Sequence, residues 1–530
     1  MGWPSEVVNL VLPLFLLLEL GTHCVAVDRS SFPPGFEFGF STSAYQVEGA
    51  AHEDGRGLSI WDTFSCIPGN ILGGGNGDVA ADVYHRYKED VQVLKSLGTD
   101  VYRFSISWAR IFPGGSARHG KVNPKGVQYY NNLINELLQN GIEPFVTIFH
   151  WDVPQVLENE YGGFRSKRII DDYSEFAEFC FKEFGDRVRK WVTVNEPSIF
   201  ATHGYGNGKN APGRCTTNGG NCAAGDSSRE PYIVAHNLLL AHMRAVKIYR
   251  SKYQQKQKGV IGISLYADWY LPYSSSKLDV DATQRVLDNK LGLYLDPLVF
   301  GDYPYSVKQL IRDRLPVFSE EESKEIRGSF DFIGLNYYMS SYVMDNSTSS
   351  DPTRKSDIAS NPGQDAPENP DIPDTFATTT SQKDGIALGP SEGGVEYWIS
   401  YPRGIKLLLD NVKTKYGTPP VYITEIGYVT LDNGQPLQDI LEDTERIQYI
   451  KNCLCYTLQA MREGADVRGL LLWSYIDNFE WNNGYSFRLG LHYVNYTNND
   501  LRRIPKASAI WFQQAMNPRE APTAAILLVP

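Results

Sequence analysis

Eight short apolar runs with β character recur along this chain, and helix-like sequence comes after each of them. The runs are Phe36–Ala44, Val101–Trp108, Pro144–Trp151, Trp191–Asn195, Val260–Ala267, Phe330–Asn336, Val421–Thr424 and Val467–Trp473. The intervening stretches include Asp82–Leu97, Lys125–Asn140, Ser166–Phe184, Tyr232–Lys252, Tyr401–Tyr416 and Thr444–Arg462. They place apolar residues three and four apart, the spacing of a helix with one buried face. Strand–helix alternation repeated about eight times predicts an α/β fold, a single (β/α)8 TIM barrel; a doubly wound open sheet is the competing arrangement. The chain has 530 residues, and barrels of this type exceed the usual domain size, so one domain over 27–520 is expected.

The ends and one insertion stand apart. Residues 1–26 read as a signal peptide, because Val7 to Leu18 is apolar, too short to span a bilayer comfortably, and followed by the small residues Cys24, Val25 and Ala26. That predicts the secretory pathway, with an extracellular or vacuolar endpoint. The tail, 521–530, is apolar but too short for an anchor. Residues 345–395 are rich in Ser, Thr, Pro, Asp and Asn and are expected to form a long loop over the C-terminal face of the barrel.

Charge and cysteine usage narrow the partners. A net charge of −12 without basic runs argues against nucleic acid, and no later segment is apolar for long enough to enter a membrane. Cys215 and Cys222 bracket a polar loop that reads as disulfide-closed in an oxidising compartment. No Cys/His spacing resembles a zinc site, so neither metal nor cofactor is expected. Asn346-Ser-Thr and Asn495-Tyr-Thr are glycosylation sequons. Oligomeric state is not legible.

Polar residues cluster at the ends of the β-like runs: His150, Asn195-Glu196-Pro197, Asn336-Tyr337-Tyr338, Glu425 and Trp473. A barrel does its chemistry at this rim. Two carboxylates there suit glycosidic cleavage with retention, one ionised to attack the anomeric carbon and one protonated to release the leaving oxygen, about 5–5.5 Å apart.

Five segments carry a resemblance. Thr193-Val-Asn-Glu-Pro197 and Ile423-Thr-Glu-Ile-Gly427 resemble the acid/base and nucleophile motifs of family 1 glycoside hydrolases. Phe36-Glu-Phe-Gly-Phe-Ser-Thr-Ser-Ala-Tyr-Gln-Val-Glu-Gly-Ala50, Tyr102 to Pro113 and Trp473-Ser-Tyr-Ile-Asp-Asn-Phe-Glu-Trp481 match the family as well. Glu230 to His242 and the Cys215/Cys222 loop resemble its plant branch of β-glucosidases. The resemblance spans about Phe32 to Phe512. It implies a retaining enzyme acting on small β-glucosides, with Glu425 as nucleophile and Glu196 as acid/base. It further implies that Gln46, His150, Asn195, Glu480 and Trp481 bind sugar hydroxyls and that Trp473 floors the ring. Tyr338 and Arg103 would contact the nucleophile, and Tyr397 and Trp398 would lie on the aglycone side. Transglucosylation to an alcohol or acid acceptor uses the same intermediate and is the alternative activity; a catalytically dead sugar-binding protein is a third.

Three positions depart from the family pattern: Ile426 comes after the nucleophile where Asn is usual, Leu489 replaces an aromatic, and Arg403 stands where many relatives have Trp. Alternation along a strand predicts that Ile426 points away from the pocket, into the strand–helix layer.

Overall fold

The computed structural model describes residues 27–118, 120–216, 222–347, 374–498 and 500–517. The expected signal peptide, the apolar tail and the middle of the 345–395 insertion lie outside the described residues. Eight parallel strands close into a barrel: β1 Glu37–Ser41, β2 Val101–Ser105, β3 Glu143–Phe149, β4 Lys190–Asn195, β5 Val260–Tyr266, β6 Phe332–Tyr337, β7 Val421–Ile426 and β8 Val467–Trp473. Closure is between first and last, where Gly39 of β1 pairs with Leu471 of β8 and with Val101 of β2. This is the barrel rather than the open sheet. The first expected run is cut at Ser41, because Ala44–Val47 turns helical.

Side chains alternate across the barrel wall. Val101, Phe145, Val192, Phe332, Tyr422 and Leu471 meet inside, and the rings of Phe145, Phe332 and Tyr422 pack edge-on at 5.2–5.5 Å. They plug the interior, which leaves the C-terminal rim for chemistry. Trp191, Ile261, Ile263, Leu335 and Ile423 face outward into the layer under the helices. There lie α1 Val83–Ser96, α2 Pro124–Gln139, α3 Arg168–Phe184, α4 Glu230–Lys252, α5 Arg403–Tyr416 and α6 Thr444–Arg462.

Two strands break strict alternation just before their glutamates. On β4, Val192 pairs with Gly262 and Asn195 with Ser264, so three steps oppose two. On β7, Ile423 pairs with Leu335 and Glu425 with Asn336, so two steps oppose one. Each irregularity inserts one residue, as a β-bulge does, and re-aims the side chains beyond it. Counting by twos from the inward Tyr422 would send Glu425 outward. The bulge instead turns Glu425 to the rim and leaves Ile423 and Ile426, three apart, both in the outer layer. Gly427 then has no room for a side chain, since a Cβ there would lie 2.8 Å from the Trp473 carbonyl oxygen.

The described part of the 345–395 segment contains short strands: Ala377–Thr380 pairs with Ser340–Asp345, which also pairs with Trp269–Pro272, and Ser391–Glu392 pairs with Val395–Ile399. Polar composition hid the β-branched run Thr378-Thr379-Thr380 and the pattern Val395-Glu-Tyr-Trp-Ile399. Cys215 and Cys222 are disulfide-bonded. Both sequon asparagines are half-buried and engaged: Asn346 Nδ2 donates to Thr378 Oγ1 at 3.2 Å, and Asn495 Oδ1 accepts from Thr497.

Ile426 is fully buried in the outer core. Ile426→Asn places an amide there without partners and should cost about 1–3 kcal/mol of stability, read as a lower urea midpoint. An unchanged midpoint would show that the position is not in the packed layer.

Candidate active site

Glu196 closes β4 and opens the helix Pro197–Tyr205. A residue before proline is disfavoured in right-handed helical backbone, and Glu196 stands in the left-handed region, at φ +43°. Such a backbone costs roughly 1–3 kcal/mol for a non-glycine residue. The Glu196 amide is anchored on Ser264 O at 2.8 Å, which holds the turn. Glu196 is 5% exposed and Glu425 3%, so both carboxyl groups stand almost outside water.

The two carboxyls differ in their company. Glu425 Oε1 accepts from Arg103 Nη1 at 2.5 Å, and its Oε2 accepts from the Tyr338 hydroxyl at 2.6 Å. Glu196 Oε1 accepts one neutral bond, from Asn336 Nδ2 at 2.8 Å. Burial and then the charge of Glu425 push the Glu196 carboxyl well above the usual range. Burial raises Glu425 as well, but Arg103 and Tyr338 oppose it. A cation and a hydroxyl favour the ionised form, so of the two it is Glu425 that ionises and Glu196 that keeps the proton.

A second tier fixes these contacts. Arg103 Nη2 donates to Asn195 Oδ1 at 2.6 Å, and Asn195 Nδ2 meets His150 Nε2 at 3.0 Å. Burial, then the Arg103 charge, holds His150 well below its ordinary range, so it is neutral. Its Nδ1 is buried without a partner among the described residues.

The other wall is built from the helical turn after β1 and the segment after β8. Gln46 Nε2 donates to Asn478 Oδ1 and Phe479 O, both at 3.0 Å, and to Glu480 Oε2 at 3.5 Å, while Ser43 Oγ donates to its Oε1 at 2.6 Å. Trp473 Nε1 donates to Glu480 Oε2 at 3.2 Å. These partners are neutral, and burial carries the Glu480 carboxyl up to about 8. Trp481 packs at a tilt against Trp61 (4.5 Å) and Trp151 (4.6 Å) and stacks on His150 (5.9 Å). Asp477, inside the same motif, does structural work: it accepts from Lys506 Nζ at 2.8 Å and from Arg488 Nη1 at 3.2 Å.

The structure thus joins Arg103, His150, Asn195, Glu196, Tyr338 and Glu425 in one network, and Gln46, Trp473 and Glu480 in another. Trp398 packs edge-on against Tyr338 at 5.9 Å, whereas Tyr397, on the opposite face of the strand, is 46% exposed. Of the departures, Leu489 is buried with Tyr338 and Trp473, and Arg403 is exposed at the start of α5. Sequence reasoning assigns Asn336 no role, yet it contacts Glu196 directly. Its Nδ2 also donates to Asn195 Oδ1 at 3.1 Å, and its Oδ1 accepts from Thr424 Oγ1 at 2.6 Å, so it ties the two glutamate strands together. Its place at the head of Asn336-Tyr337-Tyr338 on a strand end is the available signal.

Known proteins share this sequence and fold. The model of glycosyl hydrolase family 1 matches residues 28–521. The chain is 50% identical over 491 residues to β-glucosidase 12 of Oryza sativa subsp. indica, covering 92% of this chain and 93% of that one. It is 51% identical to furostanol glycoside 26-O-β-glucosidase of Hellenia speciosa, covering 92% and 84%. Among solved structures, a mutant rice β-glucosidase in covalent complex with glucose superposes with a TM-score of 0.86 at 42% identity, covering 92% of this chain and 99% of that one.

Tyr338→Phe removes one donor to Glu425 and so makes the ionised form less favourable. The acidic limb of the pH–rate profile should move to higher pH by about half a unit or more. A limb that stays in place would remove Tyr338 from this role.

Proposed function

The chain belongs to glycosyl hydrolase family 1 and is a retaining β-glucosidase; we propose that Glu425 is its nucleophile and Glu196 its acid/base. The observation that carries these roles is the unequal support of the two buried carboxyls. Glu425 has a guanidinium and a phenol donating to it, while Glu196 has one amide.

The chemistry then runs in two displacements. Glu425 attacks the anomeric carbon as the bond to the leaving oxygen breaks, and Glu196 passes its proton to that oxygen. The product is a glucosyl ester of Glu425 and a free aglycone. The charge of Glu425 is consumed in the ester, so Glu196 is left as a carboxylate beside a neutral partner. It takes a proton from water as the water oxygen bonds to the anomeric carbon. The ester bond breaks and its electrons return to Glu425. Two inversions give net retention.

Recognition of the sugar comes from the walls. Gln46, His150, Asn195 and Glu480 offer amide, imidazole and carboxyl groups to the hydroxyls of a terminal β-D-glucosyl residue. Trp473 presents an apolar face to its C–H side, and Trp481 borders the same pocket. His150 must be neutral to accept as well as donate, and its burial beside Arg103 keeps it so. Glu480 offers a carboxyl and no cation to pair with a phosphate, which fits a substrate that is an unmodified small glucoside. Trp398 is the better placed of the two aglycone candidates, since it edges onto Tyr338 while Tyr397 faces solvent. The secretory route is proposed from residues 1–26 and is supported by the Cys215–Cys222 disulfide.

Glu425→Gly should lower turnover by several orders of magnitude, and azide or formate should partly restore it with activated aryl glucosides, giving a glycosyl product of inverted configuration. Near wild-type turnover in this variant would exclude Glu425 as nucleophile. Glu196→Gln should slow the first step far more for poor leaving groups than for activated ones, and its profile should lose the basic limb. Equal losses for both classes would argue against proton donation by Glu196.

A further inference from the structure

A third carboxylate stands on the flank of the acid/base. Asp268 lies two residues beyond β5 and is 7% exposed. Asn336 joins its segment to Glu196: the side-chain amide of Asn336 donates to Glu196 Oε1, and the backbone carbonyl of Asn336 accepts the N–H of Ala267, the residue before Asp268, at 2.9 Å. Tyr266 is the register partner of Asn336. Two donors orient Asp268: the Tyr266 hydroxyl on Oδ2 at 2.6 Å and the Met339 N–H on Oδ1 at 3.2 Å. The Tyr266 ring stacks on Tyr338 at 6.4 Å, and Tyr338 is the residue that grips Glu425. A buried acid is therefore held in a fixed orientation by the same elements that hold the catalytic pair, and neither displacement makes use of it.

We propose that Asp268 is a positioning residue acting through Glu196: its negative charge keeps the proton on Glu196 before cleavage and sustains the basicity of Glu196 in the water step. The reasoning lies in the changing charge of the site. Before cleavage, Glu425 and Asp268 both favour the protonated form of Glu196. Once the glucosyl ester forms, the contribution of Glu425 is gone, yet Glu196 must now accept a proton from water. A carboxylate beside a persisting anion is the stronger base.

The groups facing Asp268 decide when that anion is present. They are Tyr266 on its own strand, Tyr337 and Tyr338 at the end of β6, Glu196 at the end of β4, and Lys290 from the turn Asp288–Gly292. Burial raises Asp268, while the hydroxyl of Tyr266, the backbone bonds and the Lys290 charge oppose it, leaving it at about 6. The charge is thus present above about 6, and it acts on Glu196 in the same direction as the charge of Glu425. Removing it lowers the proton affinity of Glu196, so the basic limb moves to lower pH.

The inference rests on Glu196 being the acid/base, and the test separates the two. The pH dependence of kcat/KM for an aryl glucoside is measured for wild type, Asp268→Asn, Asp268→Glu and Glu196→Gln. The expected result is a basic limb lowered by about half a unit or more in Asp268→Asn and kept near wild type in Asp268→Glu, which retains the charge. With a dinitrophenyl glucoside, for which the water step limits turnover, Asp268→Asn should lose about threefold to tenfold in kcat. Asp268→Ala serves if the Asn variant does not fold. A basic limb unmoved in Asp268→Asn, or moved equally in the Asn and Glu variants, overturns the inference while leaving Glu196 in its role. A basic limb that survives in Glu196→Gln overturns both.

Discussion

The buried ion pair between Arg103 and Glu425 is the contact on which the rest of the site depends. Arg103 is fully buried, and its guanidinium lies 2.5 Å from the carboxylate. A buried ion pair is costly to desolvate and is held only where geometry and further hydrogen bonds are good. Here Tyr338 takes the second oxygen of Glu425, and Asn195 takes the second arm of Arg103. Asn195 and Asn336 then carry the same bonding across to Glu196. Moving one member changes the ionisation of the others, which is how a single cation assigns opposite protonation states to two buried acids.

The barrel supplies this arrangement by bulging twice. Each catalytic strand gains one residue directly before its glutamate, at Val192 to Asn195 and at Ile423 to Glu425. On β7, strict alternation from Tyr422 would turn Glu425 toward the helices. Behind the glutamates, the aromatic plug of Phe145, Phe332 and Tyr422 supports the floor of the site. The segment after β8 is pinned from below by Asp477, which Lys506, Arg488 and the Gly490 amide all contact. That pinning holds the segment that carries Glu480 and Trp481, so the motif Trp473 to Trp481 divides between residues of the candidate site and scaffold.

Much of this is legible in the residues. Short apolar runs with β character, alternating with stretches of helical spacing, mark all eight strands and the main helices, because burial on one or both faces writes itself into the sequence. Polar residues at the run ends mark the rim. The bulges are not legible: nothing in Trp191-Val-Thr-Val-Asn195 or Val421-Tyr-Ile-Thr-Glu425 signals an extra residue, because register is set by the neighbouring strand. Ile426 lies in the predicted layer for a reason that simple alternation does not supply. The strands of the 374–399 segment are masked by their polar, threonine-rich composition. Asn336, Tyr266 and Asp268 gain meaning only when strands distant in sequence are set side by side.

The central claim is that the glucosyl group passes through a covalent bond to Glu425. Incubating the protein with a 2-deoxy-2-fluoro-glucoside bearing an activated leaving group slows both steps, the second more, so the ester accumulates. Peptide mass spectrometry of the inactivated protein should find the added sugar on the peptide containing Glu425, and reactivation on dilution into acceptor should release it. A sugar found on Glu196 or elsewhere, or inactivation without covalent mass, would contradict the account.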